Sequence, residues 1–262
     1  MSRQNSSSSP DFQHYLKRQQ AAGKKMFAVL VDPDDTDPGQ TGRLGQKALE
    51  AGVDFFLVGG SLVVSDRLEE TVRTLRDASG LPIILFPGSI RQITPAADGI
   101  LLLSLLSGRN PEMLIGQHVQ AAPALKRSGL EILPTGYLLV DGGTETTVSY
   151  ISGTKPIPAD KASIAAATAL AGEQLGLGIT YLDAGSGARQ AVPASMIEAV
   201  RREVEQPIIV GGGIRTPEQA EAAARAGADV VVVGNALEEN PEAVRELSIA
   251  VHAVSSPVEK LH

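Results

Sequence analysis

Eight short apolar runs, most of them ending at Gly, Asp or Pro and separated by stretches of helical periodicity, dominate this sequence. They are Met26–Val31, Val53–Val58, Pro82–Phe86, Gly99–Leu103, Glu131–Val140, Ile179–Leu182, Pro207–Val210 and Asp229–Val233. Runs that are apolar throughout, rather than at alternate positions, suit strands buried on both faces of a parallel sheet. Strand–helix alternation argues for parallel βα units. Eight such units in 262 residues give a single (β/α)8 TIM barrel, an α/β fold, with an open doubly wound sheet as the runner-up.

The intervening helices read as Thr41–Ala51, Asp66–Ser79, Asn110–Ala124, Lys161–Leu175, Pro193–Val204, a helix capped by Thr216 with Pro217 at its first position, and Leu237–Val251. Gln219, three residues after Thr216, completes a capping box. An extra helix, Asp11–Ala22, precedes the first strand. Between strands three and four only Ile90–Ala97 is available, and Pro95 interrupts it, so the third barrel helix is expected to be reduced or missing. Asp141–Asp160 is long and polar, as functional or mobile loops are. The expected domain plan is a disordered tail over 1–10 and one barrel over 11–255.

Composition narrows the chemistry. Aromatic residues make up 3% of the chain and Trp is absent, so the core is expected to be aliphatic. A net charge of −7 disfavours sequence-independent nucleic-acid binding, and an anionic ligand would need a local site of backbone amides, cations or a metal. The lack of cysteine excludes disulfides, thiolate metal sites and a Cys nucleophile, and fits a cytoplasmic protein. The polar, Ser-rich start is expected not to act as a secretory signal, and no apolar run reaches the roughly 18 residues of a membrane span.

The strand ends carry the candidate chemistry. Gly211-Gly212-Gly213 and Gly234-Asn235 follow strands seven and eight, where barrels of this kind often hold phosphate on loop amides and a helix N-terminus. The same glycines also suit plain tight turns. Tyr181-Leu182-Asp183-Ala184-Gly185-Ser186-Gly187 follows strand six and sets hydroxyls, a carboxylate and glycines side by side. Asp183 there is either a base or a turn-former. Arg215 either assists the anion or is a solvated helix-start residue. Asp32 at the end of strand one, with Gly59-Gly60-Ser61 after strand two, offers hard oxygen ligands of the kind Mg2+ takes, although one carboxylate alone is little evidence. The four histidines, His14, His118, His252 and His262, fall in helices or at a terminus and read as surface residues.

Together Leu30-Val-Asp-Pro-Asp34, Val58-Gly-Gly-Ser61, Tyr181 to Ala188, Val210-Gly-Gly-Gly-Ile-Arg215 and Val233-Gly-Asn235 resemble the geranylgeranylglyceryl phosphate synthase family, which includes bacterial heptaprenylglyceryl phosphate synthases. The stretches Leu103–Pro111 and Lys155–Pro158 add to the match, which runs from strand one to strand eight. The resemblance implies a prenyltransferase that joins a polyprenyl diphosphate, geranylgeranyl by expectation, to the 3-hydroxyl of sn-glycerol 1-phosphate, forming an ether lipid precursor and diphosphate. It implies that Tyr181, Leu182, Asp183, Ala184, Gly185, Ser186, Gly187, Gly212, Gly213, Gly234 and Asn235 hold glycerol 1-phosphate. It further implies that Asp32 and Ser61 hold Mg2+, and that Asp183 takes the hydroxyl proton, at a position where many members carry Glu. Leu101–Leu106 and the Phe86-Pro87-Gly88 corner are candidate walls for the prenyl tail, with alternate strand residues belonging to the core. A homo-oligomer, dimer or hexamer, is expected by the same resemblance. The alternatives are a sugar-phosphate isomerase and a non-catalytic phosphate-binding barrel.

Overall fold

The computed structural model describes residues 11–35, 37–234, 237 and 240–255; the expected tail over 1–10 lies outside them. Eight parallel strands close into a barrel in sequence order: β1 Met26–Val31, β2 Phe55–Val58, β3 Ile83–Leu85, β4 Gly99–Leu105, β5 Glu131–Leu139, β6 Ile179–Asp183, β7 Ile208–Gly211 and β8 Val230–Val233. Closure is made by β8 on β1, where Met26 pairs with Val230 and Val29 with Val233. Every strand therefore has two paired edges and two covered faces, which is why the runs carry apolar residues at consecutive positions.

The two faces feed two cores. Met26, Ala28, Phe55, Leu57, Ile84, Leu101, Leu133, Ile209, Val230 and Val232 fill the barrel interior. Phe27, Val29, Val31, Phe56, Val58, Ile83, Leu85, Val210 and Val231 point outward and pack under the helices. Helix α1 (Phe12–Ala21) closes the barrel floor, adding Phe12 and Leu16 to the inner core. The Phe12 ring meets Phe55 edge-on at 4.9 Å, and Glu131 accepts the amides of Phe12 and Gln13 at 2.6 and 2.9 Å. A carboxylate at a helix N-terminus satisfies orphan donors and favours the dipole.

The outer layer comprises α2 (Pro38–Glu50), α3 (Leu68–Ser79), α4 (Gln117–Ser128), α5 (Thr147–Ser152), α6 (Ala162–Gln174), α7 (Ala194–Glu203), α8 (Pro217–Arg225) and α9 (Val244–His252). The Thr216–Gln219 capping box forms as expected, and an unanticipated one, Asp37–Gln40, starts α2 three residues early. The segment between β3 and β4 holds no helix, so the third barrel helix is absent rather than shortened. The stretch over 141–160 is more ordered than its composition suggests: it contains α5 and a bridge between Val140 and Ile157. A π-helical turn, Glu112–Gly116, leads into α4, which continues through Pro123 to Ser128. Pro123 removes one intrahelical bond, to Val119, a residue 68% exposed where water can replace it. No helix among the described residues is long and apolar enough to cross a membrane.

Candidate active site

All eight strands point their carboxyl ends at one rim, and the loops there enclose a cavity of about 320 Å3. Asp32, Asp34 and Asp35 come from the loop after β1, and Gly59 to Leu62 from that after β2. Asp183, Ser186 and Gly187 follow from β6, Gly212 to Arg215 from the loop after β7, and Gly234 from the end of β8. Residues more than two hundred positions apart thus share one wall.

The loops after β6 and β7 are pressed together. Gly212 has φ +78, and a Cβ there would lie 2.4 Å from Asp183 Oδ1 and 2.6 Å from the Gly185 nitrogen. Only glycine fits both the left-handed backbone and the gap. Ala184 N donates to Gly211 O at 3.1 Å across the seam. The amides of Gly187, Gly212 and Gly213 make no hydrogen bond to another described residue, so these N–H groups are available to an anion.

Asp183 sits on the last residue of β6 and is 6% exposed. Its Oδ2 accepts from the Tyr137 hydroxyl at 2.6 Å, and its Oδ1 accepts from Gly185 N at 2.7 Å. Burial raises its pKa, and the bonds from Tyr137 and Gly185 offset only part of that rise. Tyr137 is pushed well above the usual phenol range, first by burial and then by the carboxylate beside it, so it remains a donor. Tyr181, one layer down on the inner face, stacks on Phe86 with ring centroids 5.2 Å apart, and Tyr137 lies 5.6 and 6.0 Å from these two rings. The core is aliphatic as expected, yet three of its few aromatic rings gather directly under this cavity.

On the opposite wall, a Cβ on Gly60 would stand 2.3 Å from Asp32 Oδ2, so the Gly60–Ser61 turn lies against that carboxylate. Gln92, from the helix-free segment, donates to Gly60 O at 2.8 Å and accepts from Gly60 N at 3.3 Å, fixing this turn. Burial raises the Asp32 pKa to about 6, against a hydrogen bond from the Asp34 amide and with a smaller push from Asp35 and Asp34. Asp34 is spent on structure: it accepts from Val64 N at 2.7 Å and from both the amide and hydroxyl of Ser65, tying the first loop to the second. No group of three His, Cys, Asp or Glu side chains converges as a metal cluster among the described residues. Asp32 and Ser61 nevertheless share the cavity wall, and Mg2+ commonly takes only one or two protein ligands beside phosphate oxygens. The donor set fits that ion.

A second, apolar pocket of about 90 Å3 adjoins the first through Gly60, Ser61 and Phe86. Pro87, Leu103, Leu105, Met113, Val148 and Ile151 line it. A further hollow of about 50 Å3 continues past Pro87, Leu103 and His118 to Ala121 and Leu125. Together they form a groove over the position where the third helix is missing.

Of the residues singled out from the sequence, Asp32, Ser61, Tyr181, Asp183, Ser186, Gly187, Gly212, Gly213 and Gly234 come together on the 320 Å3 cavity. Leu182 and Ala184 instead face the outer core, because side chains alternate along a strand, and Gly185 gives its amide to Asp183. Asn235 and His262 lie outside the described residues. The surface reading holds for His14 but not for His118, which is half-buried in the groove wall with Nε2 3.4 Å from Ser104 Oγ. His252 bridges Asp54 and Ser248 at 2.9 and 3.2 Å in the order of a hydrolase triad, but Ser248 is 1% exposed and beyond the reach of a substrate. Sequence reasoning missed Tyr137 and Gln92. The parity of β5 was the one available signal for Tyr137, since it places that residue on the inner face with Leu133 and Leu139.

Residues 19–252 match the PcrB family. A geranylgeranylglyceryl phosphate synthase of Spirosoma linguale is 56% identical over 93% of this chain and 98% of its own length. That of Thermococcus kodakarensis is 48% identical over 82% of this chain and 85% of its own. The crystal structure of (S)-3-O-geranylgeranylglyceryl phosphate synthase from Thermoplasma acidophilum, in complex with its substrate sn-glycerol-1-phosphate, superposes with TM-score 0.87 at 34% identity, covering 92% of this chain and 98% of that one.

Because burial raises the folded-state pKa of Asp183 above its unfolded value, its ionised form weakens the fold once pH exceeds the unfolded value. In Asp183→Asn the amide oxygen can still accept from Gly185 N, and its Nδ2 can donate to the Tyr137 oxygen once that hydroxyl turns away, so both contacts persist without the charge. Its Tm should exceed the wild-type Tm at neutral pH by a few degrees, about 2–4 °C per kcal/mol for a chain of this size. The difference should close as the pH falls toward the ordinary carboxyl range. Thermal melts at several pH values check this; a lower Tm for the variant at neutral pH would mean that the charge stabilises the fold.

Proposed function

This chain belongs to the PcrB family, and from that premise we propose that it is a prenyltransferase joining geranylgeranyl diphosphate to the 3-hydroxyl of sn-glycerol 1-phosphate. One observation carries the reading. A cavity with open amides and a buried carboxylate runs directly into an apolar groove, as two phosphate-bearing substrates require when only one of them has a hydrocarbon tail.

The amides of Gly187, Gly212 and Gly213 receive the glycerol phosphate, with Ser186 and Tyr181 on the same wall. Its free hydroxyl then lies toward Asp183. Each Asp183 oxygen accepts one protein hydrogen bond and keeps a lone pair for the substrate proton. Tyr137 acts as a positioning residue, holding the carboxylate in one rotamer. The prenyl tail occupies the groove between the helix-free segment and α4, which brings its diphosphate to the wall formed by Asp32, Gly60 and Ser61. Asp32 and Ser61 would hold Mg2+, which supplies charge neutralisation for the departing diphosphate when bound. As the allylic carbon–oxygen bond breaks, its electron pair leaves with diphosphate. The glycerol oxygen forms the new ether bond, and its proton passes to Asp183. Orientation supplies much of the rate, because an allylic cation reacts with a weakly activated alcohol.

An isomerase would leave the apolar groove without a ligand. Its acid and base are also unmatched at strand five, because Asp141 lines a different pocket, outside this cavity. We also propose self-association through the outer face of α4 and the turn before it, where Val119 and Ile115 are 68% and 60% exposed. Light scattering should give a mass above that of one chain, and Val119→Glu should lower it. A monomeric wild type refutes this point.

Labelled geranylgeranyl diphosphate incubated with sn-glycerol 1-phosphate and Mg2+ should yield a labelled ether product, with Asp183→Asn reducing kcat by about 10²–10⁴-fold and KM for glycerol phosphate by less than a few-fold. No product with any prenyl length would defeat the reading.

A proton on Asp32 competes with the cation. The apparent Mg2+ requirement should therefore rise as pH falls through about 6, the value to which burial lifts this carboxyl, and should be level above it. In Asp32→Asn the pH dependence should vanish along with most Mg2+ affinity. An unchanged Mg2+ titration in that variant would remove Asp32 as a ligand.

A further inference from the structure

We infer that Arg215 is the fixed cation of the phosphate site, holding the ester by charge while it bridges the loops after β6 and β7; the inference rests on the phosphate-ester reading above. Arg215 lines the same cavity as Ser186, Gly187, Gly212 and Gly213. Its Nη2 donates to Ala188 O, the end of the strand-six loop, at 2.8 Å. Its backbone amide donates to Gln219 Oε1 at 2.7 Å, which anchors the residue at the start of α8. The guanidinium makes no other hydrogen bond or ion pair to a described residue, so most of its N–H groups are available.

Charge makes the case. Four carboxylates, Asp32, Asp34, Asp35 and Asp183, line this cavity, and among the described residues Arg215 is the one Lys or Arg that does. Backbone amides satisfy phosphate oxygens but bring no net charge, whereas the ligand is a dianion facing like charges. A planar guanidinium supplies both a full positive charge and paired donors matched to phosphate. The bridge to Ala188 ties that charge to the end of the strand-six loop, on the cavity that Ser186 and Gly187 also line. Because Arg215 is exposed, water and salt moderate its effect.

The test separates charge from bracing. Calorimetric titration with inorganic phosphate, at low and high salt, compares the wild type with Arg215→Gln and Arg215→Lys. Arg215→Gln should bind about tenfold more weakly at low salt, with a flatter salt dependence, and Arg215→Lys should recover most of the affinity. In turnover, Arg215→Gln should raise KM for glycerol phosphate about tenfold and leave KM for the prenyl diphosphate unchanged. Melting curves identify any variant that fails to fold. The inference is overturned if Arg215→Gln binds phosphate like the wild type, if a folded Arg215→Lys loses as much as Arg215→Gln, or if the wild type binds no phosphate. The titration needs no turnover, so a wild type that binds phosphate but forms no ether defeats only the prenyl-transfer reading.

Discussion

Closure of the eight-stranded parallel ladder is the constraint on which everything else rests. Each strand end is fixed by hydrogen bonds to two neighbours, so the eight carboxyl ends cannot move independently. The register pairs Asp183 with Gly211 on β7 and with Leu139 on β5, and this sets the loop after β6 against Gly212 and Tyr137 against the carboxylate. The Asp183 carboxylate is therefore held to hydrogen-bond precision by a tyrosine forty-six positions away. The same closure buries both faces of every strand, which forces Asp183 into a place where ionisation is penalised.

The missing third helix is the second determinant. A barrel strand normally hides its outer face under its own helix. Between β3 and β4 an irregular segment takes that role, and Gln92 anchors it to Gly60. The partly buried hydrophobic surface at Leu103 and Met113 then forms a groove rather than core. The π-helical turn at Glu112–Gly116, on its far side, contributes Met113 to the wall. Such turns recur where a helix is bent to serve a site.

Electrostatics in the cavity runs against intuition. An acidic protein places four carboxylates around the cavity that is proposed to take two anionic substrates. The resolution lies in geometry: one carboxylate is consumed by the Val64–Ser65 turn, Asp183 accepts from Tyr137, Asp32 is raised toward neutrality by burial, and open amides with Arg215 line the wall proposed for the phosphate.

The strands, the glycine-rich loops and the Asp32 and Asp183 strand ends were legible in the sequence, because each depends on local pattern: continuous apolar runs, and glycine where the backbone turns tightly against a neighbouring loop. Boundaries moved by a residue or two, and Asp183 itself proved to be the last residue of its strand. Side-chain direction within the Tyr181–Gly187 stretch was not legible as a block, since the alternation that sends Tyr181 inward sends Leu182 outward. Tyr137 on Asp183, Gln92 on Gly60 and Arg215 on Ala188 were decided by tertiary structure alone. Each is a contact between distant loops or strands that exists only because the ring closes in one register, and no periodicity within a single segment encodes it.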